Sequence, residues 1–407
     1  MSLNSALSWE QRKAKELFVS TADKGYPELP VLSATQDRGM IRRDENSINI
    51  FHDKKNEAGY KRVLPGQFVI HLRSFQGGFA HSTIEGITSP AYTVFGFSEP
   101  EKHDSEYWKY VFTSKSFIRR LETVTYGIRD GRSISYEEFL TLGFVYPSKA
   151  EQKAIARYLD KLSDLITLHQ RKYDKLTNVK KSMLEKMFPK NGSNVPEIRF
   201  KGFTEAWEQR KLGEVLISLQ NNTLSRADLS SEEGIAKNIH YGDILVKFGE
   251  VIDVKTESLP MISDETVIAK YKSSFLQNGD VIVADTAEDE TVGKCTEIAG
   301  LSDEIVISGL HTIPYRPLQK YAPGYLGYYM NSASFHNQLL PLMQGIKVTS
   351  ISKTALQNTD ILYPKSATEQ AAIGTYFRNL DNFITLHQRE LEKLKNIKKS
   401  CLENMFV

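Results

Sequence analysis

Apolar residues recur at intervals of three and four along residues 151–188, which is the spacing of a helix that buries one stripe. The same pattern returns over residues 369–406, with 22 of 38 aligned residues identical and no gap. A match this close marks an internal repeat rather than two helices of similar composition. The pattern therefore predicts two long helices that carry the same apolar stripe.

The predicted stripe follows the first and fourth positions of a heptad, the arrangement that a coiled coil buries. Its residues are Leu159, Leu162, Ile166, His169, Tyr173 and Leu176 in the first copy, and Phe377, Leu380, Ile384, His387, Leu391 and Leu394 in the second. Lys180 and Lys398 interrupt it. The two histidines are expected to pack there rather than to bind a ligand.

Two nearly identical stripes in one chain favour a pair of antiparallel helices that form an intramolecular coiled coil. At ~1.5 Å per residue, each helix would be about 55–60 Å long and would hold two globular bodies apart. The alternative is that each helix lies independently on its own domain.

A second repeat frames the first. Residues 9–13, Trp-Glu-Gln-Arg-Lys, recur as residues 207–211, and each copy opens a body that ends at a long helix. The bodies share little sequence before their last quarter. We therefore expect an α+β chain with a pseudo-twofold internal repeat. Its segments are a first mixed α/β domain at 1–146, the first helix at 147–188, a linker at 189–206, a second mixed α/β domain at 207–364 and the second helix at 365–407.

Within the bodies, β-branched and aromatic runs predict strands, and apolar residues at three-to-four spacing predict helices. The strands are expected at 66–72, 91–95, 280–284 and 304–308, and the helices at 105–121 and 325–340. Between the first two strands, residues 73–79 contain Arg73, Gln76 and the pair Gly77-Gly78. Such a glycine pair lets the backbone approach a ligand, and the neighbouring side chains supply donors and acceptors.

The bodies become similar again just before each long helix. Residues 126–129, Tyr-Gly-Ile-Arg, occupy the place that residues 344–347, Gln-Gly-Ile-Lys, occupy in the second half. A glycine and a cation repeated at the same place predict a loop that both halves share. We expect this loop to contact the backbone of a bound chain.

Charge and cysteine content exclude some classes of protein. The net charge is +2, but it is uneven: about +1 over 1–146, +5 over 147–188, −6 over 189–364 and +2 over 365–407. This composition alone does not indicate a nucleic-acid-binding protein. Cys295 and Cys401 are the only cysteines, which fits a reducing cytoplasm and excludes a metal site made of several thiolates.

Neither a secreted nor a membrane protein is expected. No apolar run approaches the ~18 residues of a membrane span, and the first eight residues lack the basic and apolar regions of a signal peptide. The opening Met1-Ser-Leu resembles an added leader or a trimmed start.

No catalytic motif is evident. Residues 292–295, Val-Gly-Lys-Cys, lack the upstream glycine and the hydroxyl of a phosphate-binding loop, and no Asn-Pro-Pro-aromatic stretch is present. The acidic run at 285–290 is interpreted as a solvated loop rather than a metal-dependent nuclease site. His311 lies between two predicted strands, and a ligand-facing and a structural role are equally expected for it.

The combination of repeats resembles the specificity subunit of type I restriction-modification systems. The residues that carry this resemblance are 207–212 with their lead-in at 196–203, the segment 276–285, Glu369-Gln370, and the two Ile-Thr-Leu-His-Gln-Arg segments with their Met-Phe ends. The similarity covers almost the whole chain. The lead-in has no counterpart before Trp9.

The resemblance implies a non-catalytic subunit that binds double-stranded DNA. The two bodies would be target recognition domains that each read one half of a bipartite target, and the helices would set the half-site spacing. A split target needs half-sites about one helical turn, ~34 Å, apart.

The resemblance also implies partners and their cofactors. Two modification subunits would bring S-adenosylmethionine and methylate adenine, and restriction subunits would bring ATP hydrolysis and Mg-dependent cleavage. No cofactor is expected in this chain, and the assembly would act in the cytoplasm. The alternatives are a coiled-coil scaffold joining two protein-binding modules without DNA recognition, and a self-sufficient nuclease.

Base readout needs side chains such as Arg, Asn or Gln, and phosphate contacts need cations or backbone amides. In the first domain the candidate DNA-binding residues are Arg73, Gln76, Gly77, Gly78, Arg42, Arg43, Arg129 and Arg132. In the second domain they are Asn238, His240, Lys294, His311, Lys347, Thr349 and Ser350.

Overall fold

A computed structural model describes residues 9–45, 54–126, 133–190 and 192–406. The chain forms two compact units, residues 1–170 with 389–407 and residues 171–388. Each long helix is divided between the units near its middle, so the helices do not form units of their own.

The described elements of the first unit begin with the Glu-Gln-Arg-Lys motif and end with a long helix. Its strands are β1 (Glu10–Lys13), β2 (Phe18–Thr21), β3 (Leu32–Thr35), β4 (Gly39–Arg42), β5 (Lys61–Val63), β6 (Phe68–Ile70), β7 (Ala80–His81), β8 (Gly86–Thr88), β9 (Thr93–Phe97), β10 (Thr125–Tyr126), β11 (Ser133–Ile134) and β12 (Gly143–Tyr146). Its helices are α1 (Ala14–Leu17), α2 (Ser74–Gly77), α3 (Ser105–Thr113), α4 (Lys115–Leu121), α5 (Tyr136–Phe139) and the first half of α6 (Lys149–Lys186).

The second unit repeats this plan with a larger body. Its strands are β13 (Glu208–Lys211), β14 (Leu216–Ser218), β15 (Ala236–Ile239), β16 (Val251–Asp253), β17 (Met261–Ile262), β18 (Val281–Ala284), β19 (Thr286–Ala287), β20 (Cys295–Ala299), β21 (Ile305–Ser308), β22 (Thr312–Pro317), β23 (Thr349–Ser350) and β24 (Asp360–Tyr363). Its helices are α7 (Leu212–Val215), α8 (Tyr241–Val246), α9 (Glu265–Lys270), α10 (Tyr325–Met330), α11 (Ala333–His336), α12 (Lys353–Gln357) and the first half of α13 (Ala367–Asn404).

Both units contain the same antiparallel sheet. The strand order is β2-β9-β6-β7 in the first unit and β14-β22-β18-β20 in the second, where β16 adds a parallel edge strand. The registers also correspond, since Phe68 lies opposite Phe95 and His81 while Val281 lies opposite Tyr315 and Glu297. Positions in one body can therefore be matched to positions in the other although their sequences differ.

The Glu-Gln-Arg-Lys motif forms the first strand of each unit. β1 pairs antiparallel with β12, and β13 pairs with β24, and each partner strand leads directly into a long helix. The motif thus links the start of the body to the start of the helix, a role that the sequence pattern did not reveal.

Each body buries the end of the helix that follows the other body. Phe188, two residues after the end of α6, stacks on Phe377 of α13 within the second unit, with ring centroids 5.8 Å apart. Its repeat counterpart Phe406 packs against Tyr107 in the first unit at 5.5 Å. All twelve predicted stripe residues are buried or half-buried.

Two predicted helices are broken in the structure. The helix expected at 105–121 is interrupted at Ser114, whose side chain accepts a hydrogen bond from the Phe117 N–H and caps α4. The helix expected at 325–340 is divided into α10 and α11 at Asn331 and Ser332. Apolar spacing continues through both breaks, but local side-chain hydrogen bonds compete with the helix there.

The predicted linker packs on the second unit. Arg199 forms a bidentate ion pair with Glu369, at 2.6 and 2.8 Å, and the Trp207 indole N–H also donates to Glu369. Glu369 is 1% exposed. The segment is therefore bound to the start of α13. None of the helices in the described part of the chain combines the length and apolarity that crossing a bilayer requires.

Candidate nucleic-acid interface

In both units a hairpin lies beside the segment that follows the central strand. In the second unit β19 follows β18 and pairs with β23, with Thr286 opposite Ser350. In the first unit α2 follows β6 and lies against β11, which forms a hairpin with β10. The fold thus brings the glycine-containing segment at 73–79 next to the paired strands β10 and β11. Residues 127–129 of the predicted shared loop lie outside the described residues.

The hairpin of the second unit has a closed base and an exposed tip. Gln344 and Ser350 exchange backbone hydrogen bonds of 2.8 and 2.9 Å. Gly345 has φ +119, and a Cβ there would collide with the Val348 carbonyl, so the turn requires glycine. Ile346 is fully exposed and Lys347 is exposed beside it.

The remaining two hairpin candidates lie on β23. Thr349 is half-buried and Ser350 is exposed. The hairpin therefore presents a cation, an apolar side chain and hydroxyl groups from a fixed base.

His311 lies near this hairpin. It is about half exposed, its Nδ1 is 3.4 Å from Asp285 Oδ1, and the edge of its ring contacts Tyr241 at 5.2 Å. The His240 ring also contacts Tyr241, in a tilted arrangement with ring centroids 4.7 Å apart, and His240 is buried. Burial lowers the pKa of His240 below its usual value. His240 Nδ1 accepts a hydrogen bond from the Gly242 N–H, so this histidine supports the site more than it reaches outward.

Two candidates of the second unit point inward. Asn238 is fully buried, and its Oδ1 accepts a hydrogen bond from Asn222. The Lys294 Nζ donates to the Leu245 carbonyl at 2.9 Å, and burial lowers the pKa of Lys294. We therefore exclude Asn238 and Lys294 from the contact surface, because Asn238 is fully buried and the Lys294 ammonium group bonds within the body.

The first unit presents Arg73 and Gln76. Both are exposed, and Gln76 Oε1 accepts a hydrogen bond from Gln36 Nε2 at 3.3 Å. Gly77 is half-buried, and a Cβ there would press on the Gln36 side chain. Gly78 is buried with φ +83, and its Cβ would collide with the Phe112 carbonyl. Gly78 is therefore required by packing on α3 and is excluded from the contact surface.

The other arginine candidates differ in position. Arg42 is about half exposed, with its Nε 3.5 Å from Asp44, and Arg43 is half-buried. Arg129 and Arg132 lie outside the described residues. An exposed apolar residue that sequence analysis missed, Leu72, precedes Arg73 and is 64% exposed.

Ile346 and Leu72 share a signal that could have been recognised. Each is an apolar residue immediately before a cation that was already a candidate, Lys347 or Arg73. Asp285 and Tyr241 were also missed, since their importance depends on their contact with His311. Among the residues that the structure describes, no group of three or more His, Cys, Asp or Glu side chains is arranged to hold a metal ion.

Each long helix has a second, exposed apolar stripe, which we call the outer stripe. Tyr158, Leu165 and Leu168 are 42–47% exposed on α6. Their repeat counterparts on α13 are Tyr376, which is half-buried, and Phe383 and Leu386, which are 51–53% exposed. Exposed apolar residues that recur at one helix face are typical of a surface that binds another protein.

Comparison with known proteins finds similarity to one family of domains. A family model described as the type I restriction modification DNA specificity domain matches residues 204–396, which include the second body and most of α13. The type I restriction enzyme MjaVIII specificity subunit of Methanocaldococcus jannaschii is 26% identical over 268 residues. The match spans 63% of this chain and 59% of that relative's length.

Solved structures match along the whole chain. The type I restriction-modification S subunit from M. genitalium covers 100% of this chain and 98% of its own, with 14% identity and a TM-score of 0.51. A chain from a structural study of complex assembly and conformational transition of the type I R-M system covers 99% and 98%, with 15% identity and a TM-score of 0.51. At this identity the likeness establishes the mixed α/β fold.

Proposed function

Because this chain is related to the specificity subunits of type I restriction-modification systems, we propose that it is the non-catalytic subunit that recognises DNA for such a complex. Each unit reads one half of a bipartite target. The observation that carries this proposal is the placement of a pair of short strands beside the segment that follows the central strand of the same sheet in both units. The scaffold is repeated while the side chains presented on it differ, which suits an asymmetric target.

The exposed polar residues at these sites have the chemistry for DNA contact. Arg73 and Gln76 suit base edges, since Arg pairs with guanine and Gln with adenine in the major groove. Lys347 suits a phosphate, and the hydroxyls of Thr349 and Ser350 suit either group. The first unit thus contributes an arginine-containing segment and the second a lysine-containing hairpin with His311.

The long helices set the spacing between the half-sites in this proposal. We place α6 and α13 side by side as an antiparallel coiled coil, supported by the buried and half-buried stripe residues and by the stacking of Phe188 on Phe377. The outer stripes then serve as the two docking surfaces for modification subunits. Repetition of the outer stripe suits a partner that binds in two copies.

The chemistry of the assembly belongs to the partners. Two modification subunits supply S-adenosylmethionine and methylate adenine, and restriction subunits supply ATP hydrolysis, Mg ions and cleavage in the cytoplasm. This chain contributes sequence recognition and spacing. The Arg, Gln, Lys and hydroxyl side chains at its exposed hairpin sites fit that role.

Selection of random DNA duplexes by the chain assembled with its modification subunits tests the proposal. We expect enrichment of one motif with two half-sites separated by a fixed gap. Replacing residues 207–364 with the corresponding body of a relative should change one half-site and leave the other half-site and the gap unchanged. A chain that enriches no motif would instead be a scaffold joining two protein-binding modules.

A further inference from the structure

His311 adopts a backbone conformation that only glycine tolerates easily. It has φ +54 and is the one non-glycine residue with positive φ in the described ranges. It connects β21 to β22, and its side chain is 47% exposed. A non-glycine residue persists in this conformation when its surroundings hold it there, and such positions concentrate at binding sites.

Asp285 is the residue that holds His311. The Asp285 backbone N–H donates to the His311 carbonyl at 3.1 Å, and the Asp285 carbonyl accepts from the Ile351 N–H at 2.9 Å. Asp285 therefore connects the strained histidine to the chain that emerges from the Lys347 hairpin. The two exposed elements of the second unit meet at this residue.

The side-chain contacts of Asp285 fix the position of the proton on the His311 ring. The Thr286 hydroxyl donates to Asp285 Oδ1 at 2.8 Å, so the Thr286 oxygen faces its other neighbours as an acceptor. His311 Nδ1 lies 3.4 Å from both Asp285 Oδ1 and Thr286 Oγ1. Because both neighbours of Nδ1 are acceptors, the neutral ring carries its hydrogen on Nδ1.

The opposite nitrogen of the ring is then an acceptor. No described residue bonds His311 Nε2, while Tyr241 packs against the ring edge-to-face at 77° and limits its rotation. His311 lies at the end of the sheet where β18 ends and β22 begins. A fixed acceptor at this position could distinguish DNA bases in the major groove by their donors and acceptors. Adenine N6 and cytosine N4 offer amino donors there, whereas guanine O6 and thymine O4 are acceptors.

We propose that His311 reads the exocyclic amino group of an adenine or cytosine through Nε2, and that Asp285 is the positioning residue that sets its orientation and tautomer. This inference rests on the proposed DNA-recognition function and assigns a base class to one position of the second unit's half-site. By the shared sheet register, Leu72 occupies the position of Asp285 and Ala91 that of His311 in the first unit. The first unit therefore reads its half-site differently.

The test uses the full chain assembled with its modification subunits and the motif that this complex selects from random duplexes. One position of the second half-site should require adenine or cytosine. Replacing that base by its analogue without the amino group should weaken binding about tenfold, the effect of losing one positioned contact of ~1.4 kcal/mol. His311→Ala should bind the two duplexes equally, because the contact is already absent.

Asp285→Asn tests the positioning role. Its amide can place an N–H group against Nδ1, which moves the ring hydrogen to Nε2 and should shift preference at that position toward guanine or thymine. Asp289→Asn is the matched control, since it removes the same charge from the same loop, and Asp289 bonds Thr291 instead of His311. It should leave every base preference unchanged.

The outcomes separate this inference from the function on which it rests. If the wild-type complex selects no motif, the DNA-recognition proposal itself fails. If it selects a motif but Asp285→Asn and His311→Ala lower affinity equally for all bases, the function stands and the base-reading role is wrong. Should Asp285→Asn fail to fold by circular dichroism, the analogue experiment with His311→Ala decides alone.

Discussion

The two units surround the same half-buried lysine with different partners. Lys180 and Lys398 occupy equivalent positions of the repeated helix. Lys180 bridges Glu250 and Asp381, each at 2.6 Å, in the second unit. In the first unit Lys398 donates instead to Ser163, the counterpart of Asp381, at 2.8 Å. One repeated cation thus lies in a charged cluster in one unit and against a hydroxyl in the other.

The pKa values of the two lysines shift in opposite directions because their partners differ. Burial alone lowers the pKa of Lys180, but Glu250 and Asp381 outweigh burial and the net pKa is raised. The pKa of Lys398 is lowered by burial and by nearby Lys109. The helix repeat therefore fixes the position of the cation, while each body determines whether that cation stabilises the unit.

Lys180→Met should give the largest effect. It leaves Glu250 and Asp381 partly buried without their cation, and breaking a buried ion pair from one side costs about 3–5 kcal/mol. Urea unfolding measures the change in free energy, and hydrogen exchange in α10 localises it to the second unit.

Lys398→Met is the matched control in the first unit. No ion pair is recorded for Lys398 among the described residues, so methionine should be neutral or slightly stabilising. Equal losses from the two substitutions would show that the helix position, not its surroundings, determines the role of the lysine.

The two central sheets should respond to pH with opposite sign. Glu297 of the second unit and His81 of the first occupy the same register position, and both are buried. Burial raises the pKa of Glu297 to about 7, although the Gly324 and Gly327 N–H groups that donate to it act in the other direction. Burial lowers the pKa of His81 below 6.5.

The sign follows from which state binds the proton more tightly. Folded Glu297 retains its proton where the unfolded carboxyl has lost it, so the second unit should lose stability as pH rises from 4.5 to about 7. A shift of this size corresponds to on the order of 3 kcal/mol. The first unit should lose stability as pH falls below 6.5, because unfolded His81 then binds a proton that the folded ring resists.

Hydrogen exchange in β20 and β7 as a function of pH tests this contrast. Glu297→Gln should remove most of the pH dependence of exchange in β20. His81→Gln should do the same in β7. The assignment to these side chains would be wrong if the pH dependence of exchange had the same sign in both strands. It would also be wrong if that pH dependence were unchanged in the variants.

The sequence predicted those helices whose positions are determined by a local pattern. The long helices were expected at 151–188 and 369–406 and are observed at Lys149–Lys186 and Ala367–Asn404, because their spacing repeats over ten turns. The pairing of Glu10 with Tyr146 was not predictable, since the partner strand lies far along the chain. The break at Ser114 depends on a single hydroxyl that the apolar spacing does not report.

The candidate site shows the same difference between residues that a local pattern identifies and residues whose role depends on distant contacts. The shared glycine-cation loop identified Lys347, which the structure places at an exposed tip. Asn238 has an equally suitable side chain for DNA, but its burial depends on Asn222, sixteen residues away. The role proposed for His311 depends on Asp285, which had been interpreted as part of a solvated acidic loop. Contacts between distant segments decide which polar residues remain available.

The exposed residues of the two hairpin sites should affect DNA binding differently. Arg73→Ala should relax one base position of the first half-site by about 1–3 kcal/mol, as expected for loss of an arginine–guanine contact. Lys347→Ala should weaken all sequences alike and reduce the salt slope of binding by about 1. Competition binding between 50 and 200 mM salt measures both effects. Uniform weakening by Arg73→Ala would assign that residue to phosphate instead.

Ser163→Asp should produce the smallest effect and transfers the second unit's arrangement to the first. The new carboxylate faces Lys398 as Asp381 faces Lys180, but it also lies one helical turn from Asp160, which already binds Lys109 and Tyr110. Repulsion between the carboxylates offsets part of the gain, leaving a net stabilisation of about 0.5 kcal/mol at neutral pH. Urea unfolding of Ser163→Asp alone, and of the double variant with Lys398→Met, separates the attraction to Lys398 from the repulsion by Asp160. The gain should become a loss in the double variant, because the carboxylate then lacks its cation. A gain that survives without Lys398 would mean that the lysine environments do not explain the difference between the units.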